Sequence, residues 1–159
     1  MAVDEPGLAP DIRSLATGPT VAIVSRERGE AMAHPNADAL RMADEAMQRG
    51  DLEGFFSYYT DDVVVHAPGR NRLAGDYEGK DKLQELFGEF MEAMGEYTFE
   101  NHAYLADDEH GVILQRGKAV KDGKTTEFNE VFVMHFRDGK VSEMWYVPVD
   151  QAGFDALVG

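Results

Sequence analysis

The sequence predicts an α+β fold, with helices gathered early and antiparallel strands late. Two observations carry this. Apolar residues recur at helical spacing in two segments, as Leu40, Ala43 and Met47 and then as Leu83, Phe87, Phe90, Met91 and Met94. From Gly111 onward the chain instead alternates apolar and polar residues around Asp122-Gly123 and Asp138-Gly139. Asp-Gly pairs favour two-residue hairpin turns because both positions accept positive φ. At 159 residues, 43% hydrophobic and 10% aromatic, the chain is expected to form a single domain with a sizeable core.

Residues 1–33 read as a flexible extension, since Pro6, Gly7, Pro10, Gly18 and Pro19 interrupt them amid scattered charge. Met32 opens MAHPNADAL, which reads as a natural start, and the folded domain is expected over residues 34–159. Asn36, after Pro35, is the expected N-cap of a first helix that Gly50 closes. Asp51 caps a short second helix, LEGFFSYY, and Asp61-Asp62 breaks it. Val63, Val64 and Val65 form a β-branched strand that carries His66 and stops at Ala67-Pro68-Gly69. Residues 69–79, with three glycines and no periodicity, read as a loop of the kind that lines sites. The helix KDKLQELFGEFMEAM follows, its apolar stripe read as core. After Gly95 come the strand YTFENHAYLADD, two hairpins and a short tail from Gln151 to Gly159.

Several function classes are excluded. A net charge of −15 repels a phosphate backbone, so no nucleic-acid partner is expected. With no cysteine there is no disulfide, thiolate nucleophile or Cys-based metal site. No run approaches the ~18 apolar residues of a membrane helix. Met1 to Pro10 is acidic and no apolar stretch follows, so a cytoplasmic protein without a membrane partner is expected. The histidines lack metal-ligand spacing and no glycine-rich phosphate motif occurs, so neither metal nor cofactor is expected.

Two-residue turns set register. The first turn places Gln115 opposite Glu130, and the second places Trp145 opposite Phe132. One sheet face then holds Ile113, Gln115, Gly117, Ala119, Phe128, Glu130, Phe132, Met134, Phe136 and Trp145, an apolar floor with one acid and one amide. Burial between Phe128 and Phe132 raises a carboxyl pKa, which suits Glu130 to act as a base near neutral pH with Gln115 as amide donor. The alternative is a cross-strand hydrogen bond without chemistry. His66, beside Pro68-Gly69, is either an acid, base or orienting group or a satisfied structural residue. Asp150 follows Pro148, which marks a bulge or strand end, so its face stays open. Trp145, Tyr58 and Tyr59 either line a pocket for a planar ligand or belong to the core.

The stretches GDLEGFFSYYTDDVVVHAPG, PGRNRLAGDYEGKDKL and FRDGKVSEMWYVPVDQAGFDAL resemble the nuclear-transport-factor-2-like superfamily in its SnoaL-like branch, over about residues 36–157. The resemblance implies a cone-shaped curved antiparallel sheet wrapped around about three N-terminal helices, an apolar pocket and a homodimer. Ketosteroid isomerase chemistry is not implied, because Ala67, Ala43 and Phe132 stand where that enzyme has its base, its tyrosine and its protonated aspartate. Limonene epoxide hydrolase is matched in part by His66 and Asp150, while Gln115 and Ile113 replace its middle Asp and its Arg. The nearest match is to the SnoaL-type cyclases, with Gln115 in the glutamine position, Glu130 within a residue of the acid and Gly117 where a His is expected.

The reading is therefore a cofactor-independent enzyme acting on a small apolar carbonyl-bearing or cyclic ligand, of cyclase or isomerase type. Glu130 and Gln115 are its catalytic candidates, and Trp145, Tyr58, Tyr59, Phe132 and Phe128 its binding candidates. The alternatives are epoxide-hydrolase-like water activation by His66 and Asp150, or a non-catalytic binding or dimerisation module.

Overall fold

The computed structural model describes residues 33–159, so the extension expected at 1–33 lies outside the described residues up to Met32. Helix α1 (Pro35–Gln48) places proline at its first position, where the missing N–H costs nothing. Its N-cap is His34, not Asn36: the His34 ring nitrogen accepts from the Asn36 N–H. Asn36 is buried instead, and its Nδ2 donates to the Asp107 carbonyl at 2.9 Å, tying the helix to a strand turn. Asp51 caps α2 (Leu52–Phe56) by accepting from the Gly54 N–H at 2.8 Å, as its sequence position predicts.

Strand β1 (Tyr59–Ala67) begins earlier than the valine run. The expected loop at 69–79 contains a short strand, β2 (Gly75–Glu78), that pairs antiparallel with β1. Helix α3 (Lys80–Met94) leads into β3 (Glu96–Ala106), β4 (His110–Lys121), β5 (Lys124–Arg137) and β6 (Lys140–Pro148). The expected tail is also ordered, as α4 (Gln151–Val158) capped by Asp150. The strands form one curved, unclosed, six-stranded sheet in the order β2-β1-β6-β5-β4-β3, antiparallel except where β1 runs alongside β6. Helix side chains such as Leu40, Phe55 and Leu83 pack with Val63, Val65, Ile113 and Met134 of the sheet's inner face.

The first hairpin has the register its turn dictates, with Gln115 opposite Glu130 and Lys118 opposite Glu127. Asp122 and Asp138 both take φ +52, and the glycines after them are also positive, as such turns require. The second hairpin keeps its expected register only near the turn, where Phe136 faces Val141. The next pair is His135 with Glu143, so Ser142 is an extra residue in β6. A one-residue slip exchanges the two faces of everything beyond it. Trp145 is therefore opposite Val133 on the outer face, and Tyr146 is opposite Phe132 on the inner one. The placement of Trp145 on the inner floor is corrected by this bulge. The α3 stripe departs from expectation too: Leu83 and Met94 are buried, but Met91 is 36% exposed.

Candidate functional site

A cavity of about 690 Å3 lies between the three helices α1, α2 and α3 and the inner face of β3, β4 and β5. Its wall is mostly apolar, with Met47, Phe55, Phe87, Phe90, Met91, Phe99, Ile113, Phe132 and Met134. Asp44 is the one carboxylate in that wall, and Tyr97 and Gln115 join it as polar neighbours.

Glu130 lies beside this corner, only 1% exposed. Its Oε2 contacts the Tyr97 hydroxyl at 2.9 Å, and its Oε1 accepts from the Tyr146 hydroxyl. Burial pushes its pKa up to about 7, against the pull of the hydrogen bonds from Tyr146 and Tyr97. The space for the carboxyl comes from β4, where a Cβ on Gly117 would approach Glu130 Oε2 and the Phe128 ring to 2.8 Å. This position, where the resemblance leads one to expect histidine, has no room for a larger side chain beside Glu130. Both tyrosines are raised above the ordinary phenol range, chiefly by burial and then by the neighbouring carboxyl, so each stays protonated and able to donate.

Gln115 is 5% exposed and links outward. Its Oε1 contacts the Tyr97 hydroxyl at 2.8 Å and its Nε2 donates to Asn101 Oδ1 at 2.7 Å. Asn101 Nδ2 in turn donates to the Asp44 carboxylate, which the Tyr104 hydroxyl also reaches. Burial raises Asp44 to about 6, while the bonds from Tyr104 and Asn101 pull it down. Burial also raises Tyr104, to about 12, with Asp44 as the next cause.

The other candidates are dispersed. Tyr59 and Phe132 line the cavity, whereas Tyr58 packs at the edge of the core. Phe128 stacks near Tyr97, ring centroids 6.2 Å apart, and borders a separate depression on β3, β4 and β5. His66 is on the outer face, where Nδ1 meets Asp76 at 2.7 Å and Nε2 meets Glu143 at 2.9 Å. Those carboxylates, Glu143 first, raise the His66 pKa. Trp145 stacks on that ring at 4.9 Å. Asp150 accepts from the Gly153 N–H at 2.9 Å as the α4 cap. His66 and Asp150 thus serve different elements, His66 bonded to Asp76 and Glu143 on the outer sheet face and Asp150 capping α4. Among the described residues no group of three or more His, Cys, Asp and Glu is placed to hold a metal ion.

Four residues of this corner were not singled out by the sequence reading, and each leaves a signal. Asp44 lies one turn after Leu40 and three residues before Met47, so it interrupts the α1 apolar stripe just as Glu130 interrupts that of β5. Tyr97 and Asn101 share the inward set of β3 with Phe99, pairing with Ala119, Gln115 and Gly117. Tyr146 is betrayed by spacing: Val141 and Met144 are three apart, which breaks the period of two and marks the bulge.

A SnoaL-like domain profile matches residues 39–144. An uncharacterized protein of Mycobacterium tuberculosis is 25% identical over 122 residues, spanning 76% of this chain and 93% of its own. Among solved structures, Bal32a from a soil-derived mobile gene cassette aligns with a TM-score of 0.73 at 24% identity, over 79% of this chain and 97% of its own. TerC, co-crystallised with polyporic acid, aligns with a TM-score of 0.70 at 21% identity, over 78% of this chain and 98% of its own.

Proposed function

The chain belongs to the SnoaL-like domain family, and from that premise we propose that it is a cofactor-independent acid/base enzyme acting on a small, apolar, carbonyl-bearing or cyclic molecule, of cyclase or isomerase type. One observation carries this reading: a mostly apolar cavity has a polar corner in which Asp44, Tyr97 and Gln115 connect to a buried Glu130. Apolar walls select the ligand class and exclude water, while a convergent set of carboxyl, hydroxyl and amide groups supports proton transfer at a carbonyl. Two carboxyls with pKa values near neutrality are suited to take and return protons at physiological pH. That TerC was crystallised with polyporic acid supports an organic acid or ketone of comparable kind as ligand.

The test uses 2-tetralone, an apolar cyclic ketone, in heavy water. Deuterium incorporation next to its carbonyl, followed by proton NMR, is expected to be accelerated by the protein. Glu130→Gln is expected to lower that rate by about 10²–10⁴-fold, the usual worth of a general acid or base. Binding of the ketone with no acceleration in the wild type would leave a binding module and defeat the enzymatic reading.

A homodimer through the outer sheet face belongs to the same proposal. Val131 pairs with Val147 and Val133 with Trp145 on that face, and Val147 is 41% exposed. This apolar strip supports association of two copies. Sedimentation velocity at micromolar concentration is expected to give twice the monomer mass, and Val147→Lys the monomer.

A further inference from the structure

We propose that Asp44 and Glu130, which lie on different elements, form one acid/base pair holding a single proton between them, with the proton resting on Glu130 and the negative charge on Asp44 at the cavity wall. This assignment of roles rests on the acid/base reading above and deepens it.

Four polar contacts join the two carboxyls in series: Glu130 to Tyr97, Tyr97 to Gln115, Gln115 to Asn101 and Asn101 to Asp44. Each contact needs one hydrogen. The tyrosine has one to give, and each amide donates at one end while accepting at the other, so each contributes one to the series. Three hydrogens thus serve four contacts, and the fourth comes from a carboxyl. The amides donate toward Asp44, which accepts as an anion, so the missing hydrogen sits between Glu130 Oε2 and the Tyr97 oxygen. Turning both amides over moves the extra proton to Asp44, and no orientation closes the series with both ends ionised.

The surroundings favour the same count. Among the described residues neither carboxyl is in an ion pair. Glu130 is faced by two neutral hydroxyls, Tyr97 from β3 and Tyr146 from β6. Asp44 is faced by Asn101 and Tyr104 from β3, with Tyr59 close enough to feel its charge. The cation in this neighbourhood, Arg41, sits over the Tyr104 ring at 5.3 Å. One buried anion without a bonded cation costs less than two. Burial raises Glu130 to about 7 and Asp44 to about 6, the same order of proton affinity that the hydrogen count gives.

The chemistry follows from where each group sits. Asp44 lines the cavity, and Glu130 reaches it through Tyr97. With an enolisable ketone, Asp44 takes a proton from the carbon beside the carbonyl, and the C–H electron pair becomes the enol double bond. The Tyr97 hydrogen turns from Gln115 to the carbonyl oxygen and is transferred to it, and Tyr97 is reprotonated by Glu130. The pair still holds one proton, now on Asp44. Its return to a different carbon, with the enol proton going back through Tyr97 to Glu130, restores the protein and leaves a rearranged product.

The test is a carbon-13 NMR titration of the Asp and Glu carboxyls in the resting protein. The wild type is expected to lose the two protons in separated steps. Asn at position 44 supplies the fourth hydrogen from its own amide, and Ala removes the fourth contact altogether, so in either variant the series closes with Glu130 ionised. Glu130 is therefore expected to titrate lower than in the wild type by about one pH unit or more in both Asp44→Asn and Asp44→Ala, the worth of at least one hydrogen bond. A Glu130 midpoint unchanged from the wild type in both variants overturns the proposal. Glu130→Gln supplies the hydrogen from the other end and is expected to leave Asp44 ionised at neutral pH. A protonated Asp44 in that variant overturns it as well. Because no ketone is present, failure of this pairing is told apart from failure of the enzymatic reading.

Discussion

Replacing Glu130 by Gln is expected to remove most of the decline in stability between pH 5 and pH 8, so that the variant melts higher than the wild type at pH 8 and close to it at pH 5. The sign follows from the raised pKa. Glu130 goes from its ordinary 4.5 to about 7 on folding because burial disfavours the charged form. Between those values the native chain holds a proton that the unfolded chain has lost, so stability falls as pH rises. At about 1.4 kcal/mol per pKa unit, ionising this group in its buried place costs roughly 3 kcal/mol by pH 8. A Gln side chain carries no charge at any pH and can keep the contacts to Tyr97 and Tyr146. For a domain of this size that difference corresponds to a rise on the order of 10 °C in Tm at pH 8. Asp44, raised for the same reason, and His66, raised by its carboxylate neighbours, act in the same direction and leave the variant a shallower slope. The exposed carboxylates held low, such as Asp61 and Asp155, titrate below this window. Melting curves at several pH values check it, and parallel wild-type and variant profiles would show that Glu130 is not the group responsible.

Tyr97→Phe is expected to cost about 2–4 kcal/mol, because one hydroxyl serves two buried groups. Without it Gln115 Oε1 and Glu130 Oε2 both lose their contact at 2.8 and 2.9 Å. A buried polar group left unpaired costs about 1–3 kcal/mol. The phenyl ring would keep its edge contact with Phe90, centroids 5.1 Å apart, so the loss reads mainly on the hydroxyl. Tyr104→Phe is the internal control: Asp44 keeps its bond from Asn101, and Tyr104 is only partly buried. Urea unfolding at neutral pH measures both, and equal losses would mean that the chain through Tyr97 has no special place in the fold.

Much of this architecture could be read from local chemistry. Helices α1 and α3 follow from stripes at helical spacing, and the first hairpin from one Asp-Gly pair whose backbone geometry leaves a single register. Glu130 and Gln115 were visible because an acid and an amide in an apolar strand face are anomalies, and a two-residue turn says that they are opposite. The same test applied to α1 would have marked Asp44.

What the residues alone determined is the α+β layering and the pairing of Glu130 with Gln115, since periodicity and turn geometry are set by neighbours in the chain. The tertiary structure decided the rest. A single extra residue, Ser142, sent Trp145 outward and brought Tyr146 onto Glu130, because strand faces alternate and one slip reverses them. Helix packing likewise brought Asp44 of α1 against Asn101 of β3, completing a polar series whose ends are far apart in sequence. Burial then gave both carboxyls their raised pKa values, a property of the packed surroundings that no stretch of sequence contains.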